Sequence, residues 1–448
     1  MPVVLRYRLF VACCLCMLAA LTDIAPAANP ASTQWSQFRG NGGAGVAASD
    51  QVFLRPGDDG KLVWRAESTG IGWSSPVLHE NRLWMTSAET VPVSEAVKKE
   101  RLAGDPMGGM KTVVGSVVLR AVCIDADNGD VLVDKELTTI QSPNPIHPMN
   151  GFASPTAAIA GDRVVLHFGQ YGTFCLNADS GDVLWKQRIV FSDSVGPGSS
   201  PMIDGDVVVI TCDGTNEQFV TGLSMTDGSE KWRTKRPAID AGNPEFQKAY
   251  CTPLIATIGG RRQAIITGAQ WCCSYDPQTG DEWWRFDFGP GFSVATMPIL
   301  AGDAIVISTG YMAGDLVAID PTGSGDVTKT HQRWRQSRGG PKKPSLSYAD
   351  GRVFCISDNG VLTAIDAENG KTLGRTRLGG QFSASALQSG KRMLLGNHEG
   401  QLFVYSVADK PEKLFQTDIG EQVMASPIAI GDDLILRTKA ATYRWSAK

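Results

Sequence analysis

The sequence has little of what a nucleic-acid-binding protein requires. Its 42 Lys and Arg residues are balanced by 46 Asp and Glu residues, the formal net charge is −4, and the two signs are interspersed along the chain. A nucleic-acid-binding face needs clustered positive charge. The one basic cluster, residues 333–343, contains Gly339-Gly340-Pro341 and is typical of a solvated loop, although its cations would also suit an anionic ligand. We therefore expect no nucleic-acid partner.

Residues of the common catalytic and metal centres are also scarce. The chain has five His residues, and none lies in an H-E-x-x-H or similar paired spacing. The seven Cys residues beyond the N-terminal leader form no C-x-x-C motif, and because their number is odd they cannot all pair within one chain. No G-x-S-x-G nucleophile motif occurs. The sequence therefore predicts no catalytic residues and no metal site.

Long apolar runs are absent beyond the start of the chain. Basic residues precede an apolar run at residues 9–21, and an A-x-A-type cleavage site follows at residues 25–28. The run is too short for a membrane span. The pattern predicts a signal peptide over residues 1–28, no transmembrane span in the mature chain, and export to the periplasm or the cell surface. Lipoprotein processing is an alternative at one of three residues: Cys13, Cys14 or Cys16.

Glycine, in contrast, is abundant, with 49 residues placed between short β-branched and aromatic runs. Residues 153–185 predict four short strands, of which the first is expected at residues 154–160. One such meander cannot bury both of its faces, and related units occur along the whole chain. They open at eight similar dipeptides: Ser75-Pro76, Ser154-Pro155, Ser200-Pro201, Thr252-Pro253, Met297-Pro298, Ser345-Leu346, Ser385-Ala386 and Ser426-Pro427.

The last unit is incomplete, and this predicts closure of a ring. Residues 426–445 supply only three strands, whereas residues 61–65 have the Trp-containing pattern of a fourth strand with no strands before them. Closure would remove two exposed sheet edges. We predict an all-β fold, a single eight-bladed β-propeller of four-stranded antiparallel blades, closed by an N-terminal strand that pairs with the C-terminal blade.

The domain organisation follows from this closure. Residues 61–448 are expected to form the propeller, and residues 29–60 to form an N-terminal segment that packs on it. The step between the first two units is long because residues 89–115 are inserted in the first blade, with a short helix expected at residues 94–102. The tryptophans that end several units are expected to pack between neighbouring sheets.

Propeller topology separates the loops into two sets. The turns between first and second strands and between third and fourth strands share one face, the turn face, and are short Gly/Asp turns here. The turns between second and third strands and the blade-to-blade connections share the other face, the loop face. Variable loops on a rigid scaffold often carry binding sites. We therefore expect ligand-binding residues at the channel mouth on the loop face: His147, Asn150, Asp213, Gln218, Trp271, Arg338, Lys342, Asp358, Asn359, His398 and Glu399.

The A-x-D-x-x-T/S-G-x-x-x-W turns and Ser-Pro-like openings resemble the pyrroloquinoline-quinone-like (PQQ-like) propeller repeat family over nearly all of the mature chain. That family includes quinoprotein alcohol dehydrogenases and the propeller lipoprotein of the outer-membrane β-barrel assembly machinery. A narrower resemblance is to exported propeller-repeat proteins of planctomycete-type bacteria. It rests on residues 35–46, 212–219, 325–335, 357–360 and 424–427. The resemblance implies the fold but no single activity, since one fold hosts many functions.

Two functions follow from the resemblance. The first is a non-enzymatic scaffold, without cofactor and monomeric, that binds a protein, peptide or glycan partner through its loop face and channel mouth. The second is a dehydrogenase of alcohols or sugars, with PQQ across the channel, Ca²⁺ held by carboxylate and amide oxygens, and adjacent cysteines nearby. Cys272 and Cys273 are adjacent but fall in the fourth unit, where a strand would place one on each side, and no Glu/Asn/Asp ligand set can be placed. The sequence favours the scaffold.

Overall fold

The computed structural model describes residues 35–57, 60–105, 110–312 and 314–447. The predicted signal peptide and the lipoprotein alternative lie outside these residues. Within them the chain forms the predicted eight-bladed, all-β propeller. None of the helices in this described part is long and apolar enough to cross a membrane.

Strands follow one another blade by blade, except that the first strand of the chain, β1 (Lys61–Glu67), belongs to the last blade. Blade 1 contains β2 (Val77–His79), β3 (Arg82–Pro92), β4 (Val114–Asp125) and β5 (Val131–Gln141). Blade 2 contains β6 (Ala158–Ala160), β7 (Arg163–His167), β8 (Thr173–Asn177) and β9 (Val183–Gln187). Blade 3 contains β10 (Met202–Asp204), β11 (Val207–Asp213), β12 (Gln218–Ser224) and β13 (Glu230–Lys235). Blade 4 contains β14 (Leu254–Ile258), β15 (Arg261–Thr267), β16 (Trp271–Tyr275) and β17 (Glu282–Asp287).

The second half of the ring includes three short additional strands. A two-residue strand, β18 (Gly291–Phe292), follows blade 4. Blade 5 then contains β19 (Ile299–Ala301), β20 (Ala304–Ser308), β22 (Leu316–Ile319) and β24 (Gln332–Gln336). Its loops supply β21 (Tyr311–Met312), which pairs with β18, and β23 (Gly325–Asp326), which adds in parallel to the outer edge of β17.

Blades 6 to 8 complete the ring. Blade 6 contains β25 (Ser347–Ala349), β26 (Arg352–Ile356), β27 (Val361–Asp366) and β28 (Thr372–Arg377). Blade 7 contains β29 (Leu387–Ser389), β30 (Arg392–Gly396), β31 (Gln401–Ser406) and β32 (Lys413–Asp418). Blade 8 contains β33 (Ile428–Ile430), β34 (Asp433–Arg437) and β35 (Ala441–Ser446), and β1 is its outermost strand.

The predicted closure is confirmed by the pairing of β1 with β35. The two strands are antiparallel, from Lys61 opposite Ser446 to Glu67 opposite Ala441. Trp64 of β1 then reaches blade 1, where its indole N–H donates to the backbone oxygen of Ala126 at 2.8 Å. β1 therefore belongs to the last blade, which is far from it in sequence, and its Trp64 links that blade to blade 1.

Tryptophan side chains repeat this contact around the outside of the ring, as predicted. Each donates its indole N–H to a backbone oxygen in the third-to-fourth turn of the next blade: Trp185 to Met225 (3.0 Å), Trp232 to Pro277 (3.2 Å) and Trp334 to Ala367 (2.8 Å). The indole also covers a glycine of that turn. At Gly129 a Cβ atom would lie 2.9 Å from the Trp64 ring, so a larger residue would separate the two sheets.

The predicted insert of residues 89–115 in blade 1 is partly strand. β3 and β4 remain paired as far as Pro92 and Val114, beyond the ends of the equivalent strands of other blades. A short helix, α1 (Glu95–Arg101), forms between them as predicted. Ser94 is its N-cap and accepts a hydrogen bond from the backbone N–H of Val97 at 3.4 Å, as Ser commonly does at helix starts.

A belt of hydroxyl groups joins the blades around the channel. At six blade junctions the backbone N–H at the opening of one blade donates to a hydroxyl at the same position of the next blade, at 2.9–3.0 Å. The pairs are Ser75–Thr156, Thr156–Ser200, Ser200–Thr252, Met297–Ser345, Ser345–Ser385 and Ser385–Ser426. Blade 5 has Met297 at this position, so it offers no hydroxyl to blade 4.

The predicted opening of blade 2 is wrong by two residues. Thr156, rather than Ser154, holds the hydroxyl position, and the first strand begins at Ala158 rather than at residue 154. Ser154 instead donates its hydroxyl hydrogen to the side chain of Asn150 at 2.6 Å and closes the preceding loop. Ser154-Pro155 therefore resembles a blade opening in sequence but lies two residues before the actual opening of blade 2.

Residues 35–47, which we call the plug, close the channel at the turn face. The backbone oxygen of Trp35 accepts the N–H of Leu78 in blade 1 at 2.9 Å, and that of Ser36 accepts the N–H of Ile159 in blade 2 at 2.7 Å. The N–H of Ala47 donates to the backbone oxygen of Gln388 in blade 7 at 2.8 Å. These partners lie at the ends of inner strands nearest the first-to-second turns.

Arg39 fastens the middle of the plug to blade 6. Its guanidinium donates to the backbone oxygens of Gly43 (2.9 Å), Ala44 (2.7 Å) and Leu346 (2.6 Å). Arg39 is only 2% exposed, and no carboxylate among the described residues pairs with it. Burial lowers the pKa of the guanidinium to about 10, and neutral oxygens stabilise the buried cation: backbone carbonyls and, at 3.5 Å, the hydroxyl of Ser347.

Replacing Arg39 by Met should lower the free energy of unfolding by about 2–4 kcal/mol, because several buried carbonyl oxygens lose their donor. The measurement is a urea unfolding curve. The exposed Arg377→Met is the matched control and should change stability by less than about 0.5 kcal/mol. Equal stability of the two variants would contradict the anchoring role of Arg39.

Candidate functional site

A cavity of about 530 Å³ occupies the channel and opens at the loop face. Its volume falls within the range of ligand pockets, about 300–1,000 Å³. Belt residues such as Thr156, Ser200 and Ser385 line its wall, and Phe38 of the plug lies at its closed end. The cavity is therefore blind, with one mouth among the blade-to-blade connections.

One side of the cavity is aromatic. The rings of Phe246 and Phe292 lie 4.7 Å apart, and those of Phe292 and Tyr311 lie 5.7 Å apart, measured between centroids. The pairing of β18 with β21 holds the last two rings side by side. The ammonium group of Lys342 lies 4.6 Å from the Tyr311 centroid, a distance typical of a cation–π contact. Trp73, from the connection into blade 1, also lines the cavity.

Two lysines bring positive charge to the same space. Lys248 is paired with Glu245 and donates to the hydroxyl of Ser194 at 2.8 Å. Lys343 lies 3.4 Å from a carboxylate oxygen of Asp358. Lys248, Glu245 and Lys343 all line the cavity. Each lysine thus has a carboxylate partner and keeps at least one further N–H for a ligand.

His147 lines the same cavity as these two lysines. Its Nδ1 atom accepts the backbone N–H of Met149 at 3.2 Å, so in the neutral ring the hydrogen is on Nε2. Burial, and then the charges of Lys343 and Lys248, lower the pKa of His147. The imidazole of this lining residue is therefore neutral at neutral pH and has one N–H to donate.

Of the residues predicted for the channel mouth, His147 and Asn150 line the cavity. Three more contact the lining. Lys342 lies against Tyr311, Asp358 pairs with Lys343, and the Nε2 atom of His398 lies 2.8 Å from the hydroxyl of Ser383. These residues come from blades 1, 5, 6 and 7, as loop-face topology requires.

The structure places the other predicted residues away from the lining. Asp213 is buried beside Arg236, with 3.3 Å between its carboxylate and the guanidinium Nε. The remaining five hold local loop structure: Gln218 bonds to Gly214, Trp271 to Ala238, Arg338 through its backbone to Asp315, Asn359 to Ser357, and Glu399 to the backbone of Gln381.

Five lining residues were not predicted from the sequence: Glu245, Phe246, Lys248, Phe292 and Tyr311. All five lie in the connections into blades 4 and 5 or in the second-to-third turn of blade 5. The available signal was the occurrence of aromatic residues next to charged residues in loops that topology assigns to one face. These side chains are far apart in the sequence, and no local pattern shows which of them meet at the channel mouth.

Asp193 supports the loop that forms the cavity wall beside His147. Its buried carboxylate accepts hydrogen bonds from the backbone N–H (3.3 Å) and the side-chain amide of Gln170. Two residues later, the backbone oxygen of Val195 accepts the N–H of His147 at 3.2 Å. Burial raises the pKa of Asp193 to about 7, although the bonds from Gln170 act in the opposite direction.

The lining does not fit PQQ with Ca²⁺. Calcium takes about six to eight oxygen ligands, but among the described lining residues only Glu245 carries a carboxylate, and Lys248 is bound to it. The amide oxygen of Asn150 already accepts from Ser154 and Gly151. Cys272 and Cys273 are buried free thiols within β16 and line no part of the cavity. Burial raises the pKa of Cys273 to about 11, so its thiol is not activated.

Fold and repeats define an eight-bladed β-propeller of the PQQ-like repeat class. The model of the family described as "Outer membrane protein assembly factor BamB" matches residues 54–235, 120–285, 268–373 and 326–438. Together these matches span most of the chain. The chain belongs to this family.

Individual relatives are distant in sequence. BamB from Yersinia pestis is 22% identical over 330 residues, which are 71% of this chain and 77% of the relative. The crystal structure of BamB from Moraxella catarrhalis is similar with a TM-score of 0.53 and 13% identity, over 81% of this chain and 99% of that one. Quinohemoprotein alcohol dehydrogenase from Comamonas testosteroni is similar with a TM-score of 0.65 and 12% identity, over 93% and 81%. At these identities the solved structures show the fold alone.

The pKa of Asp193 predicts a pH dependence of stability. The folded protein keeps this proton up to about pH 7, whereas an unfolded chain loses it near about pH 4. Unfolding therefore releases a proton between these values, and the free energy of unfolding contributed by Asp193 falls as pH rises from about 4 to about 7. Asp193→Asn should remove this part of the slope in urea unfolding curves measured across that range.

The exposed Asp130→Asn is the control for this measurement and should keep the wild-type slope. If Asp193→Asn also kept that slope, the carboxyl would not hold its proton in the folded state.

Proposed function

We propose that this chain is an exported, non-enzymatic scaffold that binds a polypeptide partner through its loop face and the mouth of its channel. The observation that carries the proposal is the aromatic-walled, blind cavity with exposed apolar side chains at its rim. Family membership supports it, since the family is described by a protein-assembly role.

The rim favours a macromolecular partner over a free small molecule. Met149 is 42% exposed and Phe246 is 39% exposed, and both also line the cavity. Met312 follows Tyr311 in β21 and is 63% exposed. Exposed apolar side chains around a pocket are typical of protein-interaction sites. A partner that covers the rim while one side chain enters the cavity would bury all of them.

Flexible Met side chains at the rim also suit a polypeptide surface, because methionine adapts to different apolar shapes. The aromatic wall below provides rigid contact area at little cost in side-chain entropy. Most turns of the turn face are short and rich in Gly, Asp, Asn and Ser, and the longer third-to-fourth turn of blade 5, residues 320–331, contains no Met, Phe, Tyr or Trp. Binding through the loop face is therefore the arrangement that the chemistry of the two faces supports.

Photo-crosslinking tests the proposal. A benzoylphenylalanine residue placed at Met149 or at Met312 should form covalent adducts with polypeptides in an envelope extract of the source cells. The same group at Lys371, an exposed residue of the turn face, is the matched control and should form few adducts. Equal yields on both faces, or none at Met149 and Met312, would contradict binding through the loop face.

Addition of PQQ and Ca²⁺ to the purified protein tests the enzymatic alternative. The donor set of the cavity predicts no cofactor absorbance and no dye-coupled oxidation of alcohols or sugars. Clear turnover that requires both additions would overturn the scaffold proposal.

A further inference from the structure

We propose that the cavity selects acidic, aromatic polypeptide segments, in which a carboxylate side chain stands next to an aromatic side chain. This inference rests on the proposed function and names the chemistry of the segment that enters the channel mouth. It follows from the excess of unpaired N–H donors over carboxylate groups on the lining, combined with the aromatic wall.

The lysines supply charged donors. An ammonium group has three hydrogens. Lys248 uses two of them on Glu245 and Ser194, and Lys343 has one carboxylate contact, to Asp358 at 3.4 Å. At least one hydrogen of Lys248 and two of Lys343 therefore have no protein acceptor among the described residues.

Neutral donors add to this surplus. The Nε2 hydrogen of His147 has no acceptor in the described part of the chain, because Nδ1 makes the only hydrogen bond of the ring. The belt hydroxyls of the cavity wall accept a backbone N–H but donate to no protein atom among the described residues. They belong to Thr156, Ser200, Ser385 and Ser426.

Carboxylate groups, which could neutralise these cations, are few, and each already contacts a lysine. Glu245 carries the only carboxylate among the described lining residues, and Lys248 is bound to it. Asp358, just behind the lining, accepts the backbone N–H of Lys342 at 2.8 Å and pairs with Lys343. A ligand that displaces water must therefore bring its own acceptors, because buried donors without partners are costly. A carboxylate meets this need best, since its hydrogen bonds to ammonium groups are charge-assisted.

The same ligand must also have an apolar part. The Phe246–Phe292–Tyr311 wall offers ring faces and edges to an aromatic side chain, and Trp73 adds another indole surface. Aromatic pairs prefer offset or edge-to-face contacts at centroid distances of about 4.5–7 Å. Lys343 and His147 line the same cavity as this wall, so a carboxylate and a ring that are neighbours in one segment can reach both.

The closed end limits how the segment enters. Phe38 and the plug block passage to the turn face, since plug residues bond to blades 1, 2, 6 and 7. A chain cannot thread through the propeller. A loop tip or a chain end can enter from the loop face and leave its flanking residues on the Met149 and Met312 rim.

Fluorescence anisotropy with short labelled peptides tests the inference on the full-length protein. A peptide that alternates Phe with Glu should bind, and its affinity should fall as NaCl is raised. Peptides that alternate Phe with Gln, or Phe with Lys, should bind at least about tenfold more weakly, the loss expected for charge-assisted hydrogen bonds. Lys343→Gln should weaken binding of the acidic peptide about tenfold without affecting the neutral one.

Lys343→Arg keeps the charge and should retain binding of the acidic peptide, and Lys371→Gln on the turn face should behave as wild type. Thermal unfolding of each variant shows whether it is folded.

If the neutral and acidic peptides bound equally well, the selectivity would be wrong while the scaffold proposal stood. If no peptide bound but crosslinking at Met149 persisted, the proposed selectivity would be wrong and the scaffold proposal would stand. Loss of both signals would overturn both proposals.

Discussion

The structure depends on one constraint, which is that the blades must close into a ring. A single four-stranded meander leaves both faces exposed, and each blade buries them only against its neighbours. The hydroxyl belt fixes the inner ends of adjacent blades, for example Ser345 to Ser385 at 2.9 Å. Indole contacts such as Trp64 to Ala126 fix the outer strands. The pairing of β1 with β35 closes the circle. Because the belt holds every blade opening in place, the connections that precede those openings converge on one mouth.

The plug closes the channel at the turn face, so the cavity inside the ring opens only at the loop face. Without residues 35–47 the channel would be open at both faces, and the belt hydroxyls would line a pore. Arg39 holds the plug through backbone oxygens rather than through a carboxylate, so its position depends on the geometry of blade 6. The ring thus forms the channel, and the plug closes one end of it. The loops of blades 1, 3, 4 and 5 supply the side chains at the open end.

The fold could be predicted because its signals are local and repeated. Gly/Asp turns, unit-ending tryptophans and the unpaired strand at residues 61–65 each specify a nearby structure, and together they specify closure. For the site, the sequence predicts the face of the propeller but only some of the individual residues. His147 and Asn150 line the cavity, but Asp213, expected in the same place, is buried beside Arg236 at 3.3 Å. A carboxylate at the end of a strand looks the same in sequence whether its cation comes from the protein or from a ligand. Tyr311 was missed for the related reason that its neighbours are distant in the chain.

The different chemistry of the two faces of the propeller supports the proposal that the loop face receives a polypeptide. Hydrogen–deuterium exchange with and without the Phe/Glu peptide tests this most directly, because it reports on both faces in one experiment. The account predicts slower exchange in the connections around His147, Phe246 and Phe292 and unchanged exchange in the first-to-second turns. Protection confined to the turn face, or none at the mouth with the peptide bound, would contradict it.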